Sequence, residues 1–251
     1  MTDEAVAALI ALHACAPREG PGDVATLERM IAALGFAPYA GPTRAADLGC
    51  GSGATALHLA EAYGADVLAV DFAEPFVARL AERLAEAPPA RGAVSPHRGD
   101  MLAPPVAPGA LDLIVSEGAA YNVGFATAMK AWRPLVRAGG GLVVSECVWF
   151  GARRPPEAAA FWAEAYPEMG SISDAVAKAE AGGWRLKAAE RLAPEVWWTS
   201  YYDPLAARCD ALEPGADGVL KAVIAETRAE MALFRATSAD WGYVYLALDA
   251  D

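Results

Sequence analysis

The chain of 251 residues is 55% hydrophobic and carries 23 Gly and 18 Pro, a composition that supports one α/β domain with additions and excludes global disorder. Its formal net charge of −12, with no Lys/Arg cluster, excludes a surface built for nucleic acid; the charge serves solubility or a neutral or cationic small substrate. Cys15, Cys50, Cys147 and Cys209 form no CxxC pair, His13, His58 and His97 add no zinc spacing, and neither a signal peptide nor a run of about 18 apolar residues is present. No metal and no membrane are therefore expected, and the cytoplasm is the expected location.

Taken in order, residues 3–15 read as a helix with Val6, Leu9, Ile10 and Leu12 on a wide apolar face. Arg18-Glu19-Gly20-Pro21-Gly22 breaks the pattern, and Asp23 caps a second helix through residue 33. Residues 43–48 read as a first strand, followed by the turn Gly49-Cys50-Gly51-Ser52-Gly53 and a helix over 54–63. Glycines at alternate positions strip side chains from that turn, so a ligand can lie against bare backbone. The free N–H groups of the following helix face the same space. Asp47, two places before the first glycine, repels a pyrophosphate and attracts an ammonium group, which separates this loop from the similar loops of dinucleotide enzymes. The ordinary alternative is a plain strand-to-helix turn with a solvated Asp47 and a Cys50 that only packs.

Residues 66–71 form a nearly all-apolar run ending in Asp71, the mark of a strand buried on both faces. An acid at the end of a second parallel strand can accept hydrogen bonds from both hydroxyls of a ribose. Capping the helix that begins near residue 73 is its other role, and the two are compatible. That helix stops at Pro88-Pro89. A third strand over 93–97 leads to Asp100-Met101, and a fourth over 111–116 leads to Glu117-Gly118-Ala119-Ala120-Tyr121-Asn122. Ligands of open parallel sheets bind beyond the carboxyl ends of the strands, which puts Glu117, Tyr121 and Asn122 beside a substrate. Glu117 is the first candidate for a general base, with Tyr121 and Asn122 orienting the substrate. Glu146 and His13 are weaker alternatives, and a structural Glu117 is the competing reading.

A helix over 125–135 precedes a fifth strand over 142–150, whose Ser145 and Glu146 point to the same edge. Residues 151–183 read as an insertion of two helices, 155–167 and 171–181, with Phe161, Trp162 and Tyr166 expected in the core. A sixth strand spans 184–192. Trp197, Trp198, Tyr201 and Tyr202 place four rings within six positions, and these cannot all face one core. At least one is expected in the pocket, where an aromatic face suits a cationic amine, with lid packing as the alternative. Helices over 204–213 and 217–236 follow. Residues 241–248 alternate in size and polarity, as an antiparallel edge strand would.

The glycine loop behind Asp47, the acid closing the second strand, Asp100-Met101 and the succession of strands from residue 43 onward resemble the class I S-adenosylmethionine-dependent methyltransferases. Ser116-Glu117-Gly118-Ala119, Tyr121-Asn122-Val123-Gly124-Phe125 and Ser145-Glu146-Cys147 resemble, more narrowly, a bacterial group of such enzymes. The resemblance implies an α/β, Rossmann-like, seven-stranded and mostly parallel sheet with helices on both faces and an antiparallel last strand. It implies one domain over 1–251: an N-terminal helical cap (1–42) covering the cofactor pocket, a cofactor-binding core (43–150), a helical insertion or lid (151–183), and C-terminal strands and helices (184–251). It implies S-adenosyl-L-methionine as cofactor, contacted by Asp47, Gly49, Gly51, Asp71, Asp100 and Met101, with Cys50, Phe72, Ser116 and Glu117 beside them. The Asn/Asp-Pro-Pro-aromatic motif of enzymes that methylate nucleic-acid amines is absent, so a small-molecule acceptor is implied. The sequence is compatible with a homodimer. Two other classes stay open: a noncatalytic S-adenosylmethionine-binding protein, and a nucleotide-dependent oxidoreductase, against which Asp47 and the antiparallel last strand speak.

Overall fold

The computed structural model describes residues 2–14, 16–38 and 43–250, so Cys15 lies outside the described residues. Helices α1 (Asp3–His13) and α2 (Val24–Ala33) come first. Asp23 caps α2 by accepting the Thr26 N–H at 2.6 Å. Then follow β1 (Arg44–Leu48), α3 (Ala54–His58) with a π turn over Leu59–Tyr63, β2 (Asp66–Asp71), α4 (Glu74–Glu86), β3 (Ala93–Arg98) and β4 (Leu111–Ser116). A 3-10 turn over Ala120–Val123 leads to α5 (Phe125–Trp132), β5 (Val136–Trp149), α6 (Pro156–Ala165), α7 (Ile172–Ala181) and β6 (Arg185–Arg191). The chain ends with α8 (Pro194–Trp197), a π turn over Trp198–Tyr202, α9 (Asp203–Leu212), α10 (Gly218–Thr237) and β7 (Trp241–Asp249).

The seven strands lie in the order β3-β2-β1-β4-β5-β7-β6. β7 alone runs against its neighbours; the other pairings are parallel. Strand order reverses between β1 and β4, so a crevice opens there beyond the strands' carboxyl ends. Each face of the sheet has its own core. Leu27, Ile31, Leu59, Leu80 and Phe234 pack on one side, and Phe125, Met129, Trp132 and Trp184 on the other. The short apolar strands have no solvated face to mark with polar residues.

Two expectations need correction. β7 is not an edge strand: it lies between β5 and β6, and Trp241 through Leu248 are all buried. Its alternation is real, but it separates two cores. Trp241, Tyr243 and Tyr245 belong to one, and Val244, Leu246 and Leu248 to the other. β5 begins at Val136 rather than 142, with the glycine run inside the strand. A Cβ on Gly140 would sit 2.7 Å from the Asp112 carbonyl, so glycine here permits close approach of β4 instead of ending the strand.

Candidate functional site

The loop after β1 is folded back onto the end of β2. Gly49 N and Cys50 N donate to the Val70 carbonyl at 2.8 and 3.0 Å, and Gly51 N donates to Asp71 Oδ2 at 2.9 Å. Gly49 and Gly51 hold φ of +78° and +53°, in the left-handed region. A side chain at Gly49 would strike Ala119, and one at Gly51 would strike the Glu19 carboxylate. Asp71 uses its other oxygen to accept the Ala73 N–H at 2.9 Å, so it fixes both the glycine turn and the entry to α4.

This cradle is strongly acidic. Asp47 is 2% exposed, its Oδ2 has no partner, and its pKa is pushed up to about 8, first by burial and then by Glu117. Glu19, from the segment between α1 and α2, accepts the Ser52 N–H at 3.0 Å, and burial raises its pKa as well. A phosphate at this turn would face Asp47, Asp71 and Glu19. An ammonium group beside Asp47 would instead satisfy an orphaned carboxylate oxygen and relieve the cost of keeping it dry.

Glu117, at the end of β4, is a hub. It pairs with Arg18 Nη2 at 2.9 Å and accepts hydrogen bonds from the Thr55 and Tyr245 hydroxyls. Both carboxylate oxygens are therefore engaged, which favours the structural reading of this residue over a free general base. Burial works against the Arg18 charge, but Glu117 overrides it and holds the Arg18 pKa above its ordinary value. Arg18 Nε remains without a partner.

One cavity of about 770 Å³ joins this cradle to a second lobe. Asp47, Gly49, Cys50, Gly51, Asp71, Phe72, Asp100, Met101 and Glu117 line it, as do Tyr121 and Asn122. Ser116, expected beside the cofactor, does not line it. Its hydroxyl donates to the Leu48 carbonyl at 2.7 Å, so it pins β4 to β1 beneath the site. Burial pushes the Cys50 thiol up, which leaves it a neutral packing group. Phe72 is 66% exposed at the rim. The Met101 carbonyl accepts Trp132 Nε1 at 2.8 Å, which ties the loop after β3 to α5.

The second lobe is walled by rings, of which Tyr121 and at least one from the 197–202 stretch were expected in the pocket. Phe161, Trp162 and Tyr166 line the cavity, and Tyr166 is at the same time buried in the core, with Trp162 packed against it. The end of α8 and the π turn after it sort their aromatics: Trp197 and Tyr201 line the cavity, Tyr202 is buried, and Trp198 stacks under Arg235 at 4.2 Å. Tyr243 of β7 and Glu230 of α10 complete the wall. Glu146 does not line it. Glu146 is buried, accepts the Tyr166 hydroxyl at 2.5 Å, and is pushed up to about 8 by burial. His13 does line it. Its Nδ1 donates to the Leu9 carbonyl at 2.8 Å, so Nε2 is the acceptor for the Tyr201 hydroxyl at 3.0 Å. Burial lowers the His13 pKa and keeps the ring neutral.

Arg18, Glu19, Glu230 and Tyr243 were missed as site residues. The Arg18–Gly22 break was the one local signal. Glu230 and Tyr243 reach the cavity only through the packing of α10 and the interior place of β7, which no local pattern encodes.

A family model described as a methyltransferase domain matches residues 45–140. Among solved structures, the chain is similar to an S-adenosylmethionine-dependent methyltransferase from Geobacter sulfurreducens in complex with S-adenosyl-L-homocysteine. The TM-score is 0.79 at 20% identity, covering 96% of this chain and 97% of that one. It is similar to YjhP from E. coli, with a TM-score of 0.79 at 21% identity over 97% of this chain and 99% of that one. It is also similar to an S-adenosylmethionine-dependent methyltransferase from Thiobacillus denitrificans in complex with S-adenosyl-L-homocysteine, with a TM-score of 0.76 at 20% identity over 96% of each chain. At such identities these likenesses speak for the fold. No curated protein matches the chain in sequence.

Proposed function

We propose that this chain, in which residues 45–140 are a methyltransferase domain and S-adenosylmethionine is the cofactor, methylates a small-molecule acceptor held in the second lobe of its cavity. The observation that carries the reading is the continuity of an acidic glycine cradle with a partly open, ring-walled chamber. A volume of about 770 Å³ suits a cofactor and a small partner, and not a macromolecular segment.

The cradle residues fit the cofactor. Asp47 takes its ammonium group, Asp71 its ribose hydroxyls, and Asp100 with Met101 its adenine. Arg18, the only Arg or Lys among the described residues lining the cavity, is placed to take its carboxylate through the unpartnered Nε. When bound, S-adenosylmethionine supplies an electrophilic methyl carbon on a sulfonium. The chain's own work is to hold an acceptor atom in line with that carbon and to keep water out. Tyr121 and Asn122, which line the cavity, orient the acceptor. Glu117 holds Arg18, Thr55 and Tyr245 in place around it. Where the acceptor must lose a proton, the neutral His13 Nε2, reached through the Tyr201 hydroxyl, is the base that this geometry favours.

Transfer of labelled methyl from S-adenosylmethionine into a fractionated cell extract tests the proposal, with Asp71→Ala as control. Label in the small-molecule fraction that disappears with the variant is the expected result. Label in protein or nucleic acid would overturn the acceptor class. Cofactor binding with no label in any fraction would favour a noncatalytic binding protein.

A further inference from the structure

The second lobe has a chemical character of its own. Five elements contribute to it: Tyr121 follows β4, Tyr166 follows α6, Trp197 and Tyr201 flank a helix junction, Tyr243 comes from β7 and Glu230 from α10. The rings are close-set. Tyr121 and Tyr166 have centroids 5.7 Å apart, Trp197 and Tyr243 4.6 Å apart, and the Tyr121 and Tyr243 hydroxyls are 3.5 Å apart. Glu230 stands among them. Its Oε1 accepts the Tyr202 hydroxyl at 2.7 Å, and its Oε2 takes no hydrogen bond from the described residues. Its carboxylate lines the same cavity as Tyr121, Tyr201 and Tyr243.

Among the described residues, no lining cation balances it. Arg18 is committed to Glu117 in the cofactor half, and His13 is neutral. An anionic acceptor would meet Glu230 with nothing to offset the repulsion. A neutral apolar one would leave Glu230 either charged without a partner or protonated, since burial already raises its pKa, and neither state gains from the contact. A small alkylammonium group answers both demands, because its charge pairs with Glu230 while its alkyl shell lies against ring faces.

Resting on the function proposed above, we infer that the acceptor carries a small alkylammonium group, seated between the Glu230 carboxylate and the faces of Tyr121, Tyr201 and Tyr243. Glu230 is thus a specificity-determining residue of the acceptor site rather than of the cofactor site.

The test separates charge from shape and acceptor from cofactor. The protein saturated with S-adenosyl-L-homocysteine is titrated calorimetrically with choline and with its uncharged isostere, in which a carbon replaces the nitrogen. Choline is expected to bind at least about tenfold more tightly than the isostere, the scale of one ammonium–ring contact in a desolvated site. Glu230→Gln, which keeps an acceptor for Tyr202, is expected to cut that preference at least about threefold, the rings retaining the remainder, and to leave S-adenosyl-L-homocysteine affinity unchanged. Equal binding of the two probes, no saturable choline binding, or an intact preference in Glu230→Gln would overturn the inference while the methyltransferase reading stands. Failure of S-adenosyl-L-homocysteine itself to bind would remove the reading on which the inference rests.

Discussion

Asp71 carries two loads, one toward the ligand and one toward the fold. Its oxygens accept the Gly51 and Ala73 N–H groups, both at 2.9 Å, before any ribose arrives. Asp71→Ala is therefore expected to weaken S-adenosylmethionine binding about tenfold to a hundredfold, the scale of one or two charge-assisted hydrogen bonds. It should also cost about 1–3 kcal/mol of stability, because two backbone donors lose their partner. Calorimetric titration and urea unfolding read the two effects separately, and unchanged affinity would remove Asp71 from the site. Asp47 should split these effects in the opposite sense. It is buried, with an orphaned oxygen and a pKa near 8. Asp47→Asn removes a charge that the empty fold has no use for. The variant is expected to melt higher than the parent above pH 8 and to bind the cofactor at least about tenfold less well. A variant that lost stability and kept its affinity would contradict this role. Both acids were legible in the sequence because each sits at the end of a short apolar strand, where local pattern and site position coincide.

At the scale of elements, the segment between α1 and α2 is held over the glycine turn by charge. Glu19 accepts from Ser52 N, and Arg18 pairs with Glu117 at 2.9 Å while Thr55 and Tyr245 close the remaining positions on that carboxylate. Removing one partner of such a pair strands the other in a dry site. Glu117→Ala is expected to destabilise the protein by about 3–5 kcal/mol and to loosen the Arg18–Gly22 segment. Thermal unfolding measures the first effect and amide hydrogen exchange over residues 18–22 the second; protection unchanged in the variant would show that Glu117 does not pin the segment. The bounds of β2 and β4 coincide with their apolar runs in the sequence. The start of β5 and the place of β7 do not. A glycine run signals a turn unless a neighbouring strand needs the room, and an alternating strand signals solvent unless both of its faces meet cores. The part that α6 plays in the aromatic lobe was hidden for the same reason. Whether Phe161, Trp162 and Tyr166 face a core or a cavity depends on how α6 seats against α10 and β7, and helical spacing is the same in either case.

For the molecule as a whole, the buried carboxylates set the response to pH. Asp47 and Glu146 rise from 3.8 and 4.5 to about 8. Burial also raises Glu19, Asp71 and Glu230. The folded chain therefore holds protons that the unfolded chain has already released, and the stability this gives, complete at acid pH, is lost as pH climbs toward the folded pKa values. His13 works the other way, since its lowered pKa costs stability only as pH falls below its ordinary 6.5. Between about pH 6.5 and 8 the carboxylates act alone, and the repulsion within a chain of net charge −12 has the same sign. The cofactor-free protein is expected to melt lower at pH 8 than at pH 6.5. A loss of about 2 kcal/mol corresponds to a drop of roughly 4–8 °C in a chain of this size. Glu146→Gln should flatten part of that slope, and a Tm that stayed level or rose over this window would refute the account. The ligand should act against the slope. An ammonium group beside Asp47 favours the carboxylate, so the fold ceases to need that proton once the cofactor is bound. The Tm gain from saturating S-adenosyl-L-homocysteine is therefore expected to be larger at pH 8 than at pH 6.5, and to lose this pH dependence in Asp47→Asn.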